Sequence, residues 1–497
     1  MNTFKIANNR PIVLSAITLA LGIFTAGLVG SSAIGFFVSL GALIVITIVS
    51  FFLKFKSLKT ASIFLLVGFL MMSVTIGVKS TPDYNLENAY FEGRVQSVAR
   101  ANTATKRYVI KDVKLLGEEL KGKVVLDVED ELEIGDRIAV IGSFATIEFN
   151  PFDSYSVSKY SENVTYSSKA EDVIKLGEDR KTLGEKIRIK VRKLYLENMG
   201  ETGGVALGLV FGDTSYIGYD TESDMRASGL SHLFSVSGLH VGFMSTIIFW
   251  LFTILKVEKK KSLFWVSIIL LAYGFLTGFP VGVVRASIMY LLALVAEIRL
   301  VRHDPLNALA LTSIILLAIN PLDLFSVSFL LSVGAMFGII CFYWSMTNIY
   351  KGDNFFIKKV VGAVSVSLSS NVFVFPISCY FFGSVSVFFI IANVLLVPIA
   401  SLAYTLLVPV TLLALIIEPL GILMLPISMP LLSVTTVSSF IAQLPGSTLS
   451  INMPMLGALL FSFGMIVVSK FYMGSKYSKI VLSTLSFIAC ALIIFLF

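Results

Sequence analysis

Histidine and cysteine are scarce: the 497-residue chain holds three of each, His232, His240 and His303, and Cys341, Cys379 and Cys490. That supply excludes a multi-histidine metal site, a zinc cluster of thiolates and a dense disulfide framework. Charge is scarce as well, at 14% of residues, and positions 1–79 contain no acidic side chain. No Gly-x-x-x-x-Gly-Lys-Ser/Thr loop occurs, so the chain is not expected to hydrolyse ATP, and neither a cofactor nor a metal is expected. Apolar residues take the place of all these. They make up 56% of the chain, with a mean hydropathy of +0.86, a composition that predicts an integral membrane protein.

Three uncharged runs, Pro11 to Gly30, Ser31 to Leu53 and Ala61 to Val78, each approach the ~20 residues that cross a bilayer as a helix. Residues 1–80 are therefore read as three transmembrane helices. Lys5 and Arg10 before the first run resemble the start of a secretory signal, but a second span follows at once where a polar mature chain would begin.

Residues 81–180 differ in kind. They carry 13 basic and 19 acidic side chains, and short alternating runs at Tyr90 to Val98, Arg107 to Val113, Lys121 to Val128 and Arg137 to Phe144 predict four or five strands in a small all-β, OB-like domain. The acidic balance argues against phosphate binding by the whole domain. Arg94, Arg100, Lys106 and Arg107, beside Tyr108, form a local basic edge that is a candidate DNA contact, with a solvated strand surface as the simpler reading. Residues 181–200 follow as a basic amphipathic helix: Leu183, Ile187, Val191, Leu194 and Tyr195 recur at three- and four-residue steps, as in helices that lie on a lipid surface.

Apolar runs resume over residues 201–470, several of them short or interrupted by proline, and 471–497 hold a last span. Interrupted helices are tolerated at membrane depth only where protein or a polar cavity satisfies the freed backbone groups. Lysine and arginine clusters at 54–59, 256–261, 299–302, 351–359 and 470–479 mark cytoplasmic loops. An N-terminus inside the cell satisfies every cluster up to Lys359 and places the β-domain outside the cytoplasm. Between Lys359 and Lys470 the crossings must be even in number against about five apolar runs, so a re-entrant segment is expected within 384–417.

The most unusual segment is Gly229 to Gly242, GLSHLFSVSGLHVG, with two histidines, three serines and three glycines in or beside an apolar helix. Polar groups are costly there and tend to mark function, whereas small residues alone serve helix packing. Arg285 is a buried charge that either contacts phosphates or pairs with an acid. Glu297 reads as an interfacial partner and Asp323 as a helix N-terminal residue.

This segment resembles the signature of the ComEC family of competence proteins, which pass one DNA strand across the bacterial inner membrane in natural transformation. Further blocks resemble the family in order: Gly208 and Phe211 to Asp213; Tyr273 and Leu276 to Phe279; Arg285, Ala286 and Met289; Arg302, Asp304 and Asn307 to Leu309; Pro321, Phe329, Leu331 and Ser332; Pro376, Phe382, Gly383, Asn393 and Pro398. The likeness is strong over about 200–400 and weaker over the leading spans and the β-domain. Leu330 and Ser328 stand where the family commonly has glutamine and glycine.

The resemblance implies a polytopic α-helical membrane protein of the bacterial cytoplasmic membrane that conducts single-stranded DNA inward. Its channel candidates are Asp213, His232, Ser235, Ser237, Gly238, His240, Arg285, Ser332 and Asn393. It also implies an extracytoplasmic DNA receptor and a cytoplasmic helicase-like ATPase as partners. Full-length members often carry a metallo-β-lactamase-like domain; this sequence stops at Phe497 with three histidines, so nuclease activity is not expected and would reside in a separate polypeptide. A secondary transporter of a small solute is the alternative, and it would show internal repeats, of which none is evident. An intramembrane serine hydrolase built on Ser237 and His240 fits poorly, because residues three apart on one segment seldom reach nucleophile-to-base geometry.

Overall fold

The computed structural model describes residues 10–30, 32–52, 56–79, 81–101, 105–234, 238–472 and 474–496. The chain opens with helices α1 (Pro11–Val29), α2 (Ala33–Phe52) and α3 (Lys56–Lys79). Pro11 occupies the first turn of α1, where its missing N–H costs nothing. Helices α1 and α3 cross at a reciprocal pair of glycines. A Cβ on Gly22 would lie 2.0 Å from the Leu65 carbonyl oxygen, and one on Gly68 would lie 2.2 Å from that of Leu19. In hydrocarbon, where apolar burial gives no drive to associate, such close backbone approach is what holds helices together.

The polar segment is a barrel. Strands β1 (Asn85–Arg100), β2 (Lys106–Leu115), β4 (Lys123–Val128), β5 (Asp136–Thr146) and β6 (Val164–Glu178) form one sheet that closes on itself through β1–β2, and the short β3 (Glu118–Glu119) extends β2. All pairs are antiparallel except β4–β6, which is parallel. Alternate residues point inward, and Phe91, Val95, Tyr108, Ile110, Leu126, Val140, Phe144 and Tyr166 fill the interior. Strand β6 has no apolar run to announce it, because its second half is exposed. Helix α4 (Ser154–Ser161), capped by Asp153, leads into it.

Helix α5 (Leu183–Met199) starts at a capping box, with Thr182 Oγ1 accepting from Glu185 N and Glu185 Oε2 accepting from Thr182 N. It packs with α6 (Glu201–Phe211), α7 (Tyr219–Ala227), α14 (Phe389–Ile416) and α15 (Leu425–Gln443) around one apolar core. Between these lie α8 (Gly238–Ile254), α9 (Lys259–Thr277), α10 (Val281–Ile298), α11 (Pro305–Ile319), α12 (Val327–Thr347) and α13 (Phe355–Phe382), and the chain ends with α16 (Met455–Val468) and α17 (Lys476–Leu496). Ten helices among the described residues are long and apolar enough to cross a membrane.

The signature segment holds the 3-10 turn Ser231–Leu233 ahead of helix α8. Within 384–417, where a re-entrant segment was expected, Phe389–Ile416 form the single 28-residue helix α14, with Pro398 and Pro409 inside it. Between Lys359 and Lys470 lie α13, α14 and α15, each part of a stretch long and apolar enough to cross a membrane, and the shorter apolar helix α16. Short strands β7 (Ser384–Ser386) and β8 (Thr448–Ser450) pair beside these helices.

Candidate functional site

The signature segment begins where α7 stops. Gly229 takes φ +85°, and the bonds Gly229 N to Arg226 O (3.0 Å) and Leu230 N to Met225 O (2.7 Å) make a Schellman end. Glycine is required twice over: a Cβ here would also lie 2.7 Å from Cβ of Phe389 and 3.1 Å from Cβ of Ser386. The preceding residue, Ser228, is fully buried and joins α15 through a 2.7 Å bond to Ser438. The signature is thereby pinned against the start of α14 and the side of α15.

His232 follows on the 3-10 turn, its Nδ1 donating to the Gly229 carbonyl at 3.2 Å. Its side chain keeps exposed surface, in contrast to buried Leu233 and Phe234 beside it. Ser235 and Ser237 lie outside the described residues. Gly238 opens α8 beside Arg285, whose Nη2 would lie 3.4 Å from a Cβ there, an ordinary contact distance.

Arg285, in the first turns of α10, is 8% exposed. Its Nε donates to Ser332 Oγ on α12 at 2.7 Å, and Nη1 faces Met289 Sδ at 4.0 Å. No carboxylate among the described residues lies within ion-pair distance of its guanidinium. Two residues beyond Gly238, buried His240 meets the Tyr404 ring edge-on at 4.8 Å. Leu209, Leu233, Phe243, Ala400 and Ser401 complete a void around that pair which is too small for water.

Gly238, Arg285 and Ser332 thus come together from three helices, with His240 alongside. Two other candidates sit elsewhere. Asp213 pairs with Arg192 of α5 at 3.0 Å and accepts from Ser215 N, while Ser215 Oγ donates to Val98 O of the barrel at 2.8 Å. It stands at the junction with the barrel, apart from the Gly238–Arg285–Ser332 cluster. Asn393 contacts Ser367 on α13 at 3.4 Å, and its Oδ1 has no hydrogen-bond partner among the described residues. Tyr404 was not foreseen; it lies far along the chain within a mostly apolar helix, and no local signal marks it.

The basic edge of the barrel is made of cations paired with acids. Arg94 is buried, bonding Glu185 Oε2 at 2.8 Å beside Asp179. Arg100 pairs with Glu222, Lys106 with Glu131, and Arg107 with both oxygens of Asp127 at 2.6 and 2.8 Å. All four cations are engaged, and Arg94 and Arg100 tie the barrel to α5 and α7. Burial alone would raise the Glu185 carboxyl pKa, but the Thr182 N–H and the Arg94 guanidinium outweigh it and hold the group below its ordinary value.

The sequence pattern that defines the family described as "Competence protein" matches residues 209–476, more than half of the chain. The chain belongs to the competence protein family. Gly238, His240, Arg285, Ser332, Asn393 and Tyr404 all fall inside the matched region, whereas the first three helices and the barrel lie outside it. This competence protein is 29% identical over 199 residues to ComE operon protein 3 of Bacillus subtilis, across 40% of its own length and 25% of that relative. It is 27% identical over 282 residues to Recombination protein 2 of Haemophilus influenzae, across 54% of its own length and 35% of that relative. It therefore spans well under two thirds of either relative. No solved structure matches it.

Proposed function

We propose that this competence protein conducts single-stranded DNA across the bacterial cytoplasmic membrane during natural transformation. The observation that carries the reading is Arg285: a buried guanidinium, oriented through Nε by a neutral serine and lacking a carboxylate partner among the described residues. An unneutralised buried cation is expensive and is kept where an anion visits. The planar fork offers its remaining N–H donors to phosphate oxygens. A serine tether is weaker than a carboxylate, so a phosphate is admitted and then released, as conduction demands.

The exposed His232 lies on the approach, and the packed His240–Tyr404 pair belongs to a closed conformation that the strand must part. The strand order of the barrel, with its parallel β4–β6 pairing, supports an OB-like domain, and the lysine-rich loops support a cytoplasmic N-terminus that places it outside the cytoplasm. The chain acts as a conduit and not as an enzyme. Directional movement then needs a DNA receptor on the barrel side and a helicase-like ATPase on the other, with strand degradation, where it occurs, supplied by a separate nuclease.

Complementation tests this. The chain is expressed in a naturally competent bacterium lacking its own channel, and transformants with linear marked DNA are counted. Rescue by wild type, retention of part of it by Arg285→Lys, and loss in membrane-inserted Arg285→Met are expected. Full transformation by Arg285→Met would remove the guanidinium from the mechanism.

A further inference from the structure

We propose that the seam between α3 and the α11–α12 connection binds one anionic phospholipid, its acyl chain in a groove and its phosphate on Lys79 and Lys123. The inference needs only that the chain lies in a bilayer and does not depend on what the channel carries. The groove has a volume of about 350 Å³ and is lined by Leu70, Met71, Val74 and Thr75 of α3, and by Ala318, Ile319 and Pro321. It is open along its length, with Val74 63% and Ile319 74% exposed. All its lining side chains but one are apolar, which suits a hydrocarbon chain and not a polar solute.

The groove ends at a different chemistry. Lys79 lies four residues beyond Thr75 on the same helix, hence on the same face and about 6 Å, one helical turn, further along. Its Nζ donates to the Tyr160 carbonyl at the end of α4. From the barrel side, Lys123 Nζ donates to the Glu162 carbonyl at 3.1 Å, so two ammonium groups converge on backbone oxygens two residues apart. Lys111 is cross-strand from Lys123, next to the paired Ile110 and Val124. Asp323 and Glu162 are the acids whose fields reach these lysines. Asp323 is already bonded by Ser161 Oγ at 3.1 Å and Asn320 Nδ2 at 2.8 Å. Three lysines against two acids leave positive charge, and each ammonium keeps two N–H donors for a phosphate oxygen.

Chain groove and cationic rim are thus set one turn apart, the spacing of a lipid tail and its headgroup. The bound molecule would brace three parts at once: the N-terminal helices through α3, the competence region through Ala318 to Pro321, and the barrel through Lys123. Anionic headgroups gain about 1 kcal/mol for each nearby lysine, a roughly fivefold preference.

Native mass spectrometry of the full chain released from phosphatidylglycerol/phosphatidylcholine vesicles tests it. The expected result is one phosphatidylglycerol retained per chain, with retention about 30-fold weaker in the Lys79→Ala/Lys123→Ala variant, the weight of two lysine contacts. Ile319→Trp, which fills the groove and leaves the lysines untouched, is expected to abolish retention while the chain still elutes as a folded species. Equal retention of both lipids, or of phosphatidylglycerol by all variants, overturns the proposal. Displacement of the lipid by millimolar inorganic phosphate also overturns it, since the site would then be a phosphate site in which the groove plays no part.

Discussion

Arg285 Nε donates to Ser332 Oγ across 2.7 Å, joining α10 to α12 with a buried charge on one side and a neutral hydroxyl on the other. Had the partner been a carboxylate, the pair would read as a structural ion pair. Because it is a hydroxyl, the serine orients the guanidinium without neutralising it.

That asymmetry predicts a separation of stability from function. Ser332→Ala strips a buried charge of a hydrogen bond and is expected to cost about 1–3 kcal/mol of stability, read as a lower melting temperature in detergent. Arg285→Met keeps the volume and removes the desolvated charge, so the bundle is expected to melt no lower than wild type while transformation is lost. A melting temperature that collapses in Arg285→Met would make the residue structural.

At Gly229 the φ of +85° and the 2.7 Å approach to Phe389 act together. Gly229→Ala is expected to destabilise by about 1–3 kcal/mol, because the residue is strained and its methyl group has no space. Thermal unfolding monitored by intrinsic fluorescence checks this; an unchanged midpoint would mean that α14 yields readily at this contact.

The clamp between the barrel and α5 predicts a pH effect. Glu185 sits below its ordinary pKa in the folded chain, so its contribution is present in full above the ordinary carboxylate range and is lost as pH falls through the depressed value. With the intrinsic pH dependence of exchange divided out, the protection of the first turn of α5 should therefore fall on acidification through that window. In Glu185→Gln the same turn should exchange faster at neutral pH and respond less to acid. Equal profiles for the two proteins would contradict the assignment.

His240 and Tyr404 meet ring to ring at 4.8 Å in a void that excludes water. His240→Ala leaves a cavity and is expected to lose about 2–4 kcal/mol, whereas His240→Phe keeps the edge-on contact and most of the stability. If the imidazole itself serves the passing strand, His240→Phe stays folded and transforms poorly. Normal transformation by that variant would leave His240 a packing residue only.

Much of this was legible in the chain. The uncharged runs at 11–30, 31–53 and 61–78 predicted helices because a bilayer admits few alternatives, and the period-2 runs from Tyr90 onward predicted strands for the same local reason. Strand β6 escaped notice because half of it is exposed and its pattern is polar. The 3-10 turn Ser231–Leu233 was hidden by continuous hydropathy, which cannot tell a helix from a turn buried in protein.

By itself, then, the sequence determined the membrane class, the barrel, and the family resemblance carried by Gly229 to Gly242, since composition and short-range periodicity follow from local chemistry. Only the tertiary structure decided that Arg285 meets Ser332 and not an acid, that Asp213 and Arg94 serve the barrel junction, and that Tyr404 closes on His240. Each of these is a contact between residues at least 21 positions apart. Which cation finds which anion is set by how the helices pack, and no spacing along the chain encodes it.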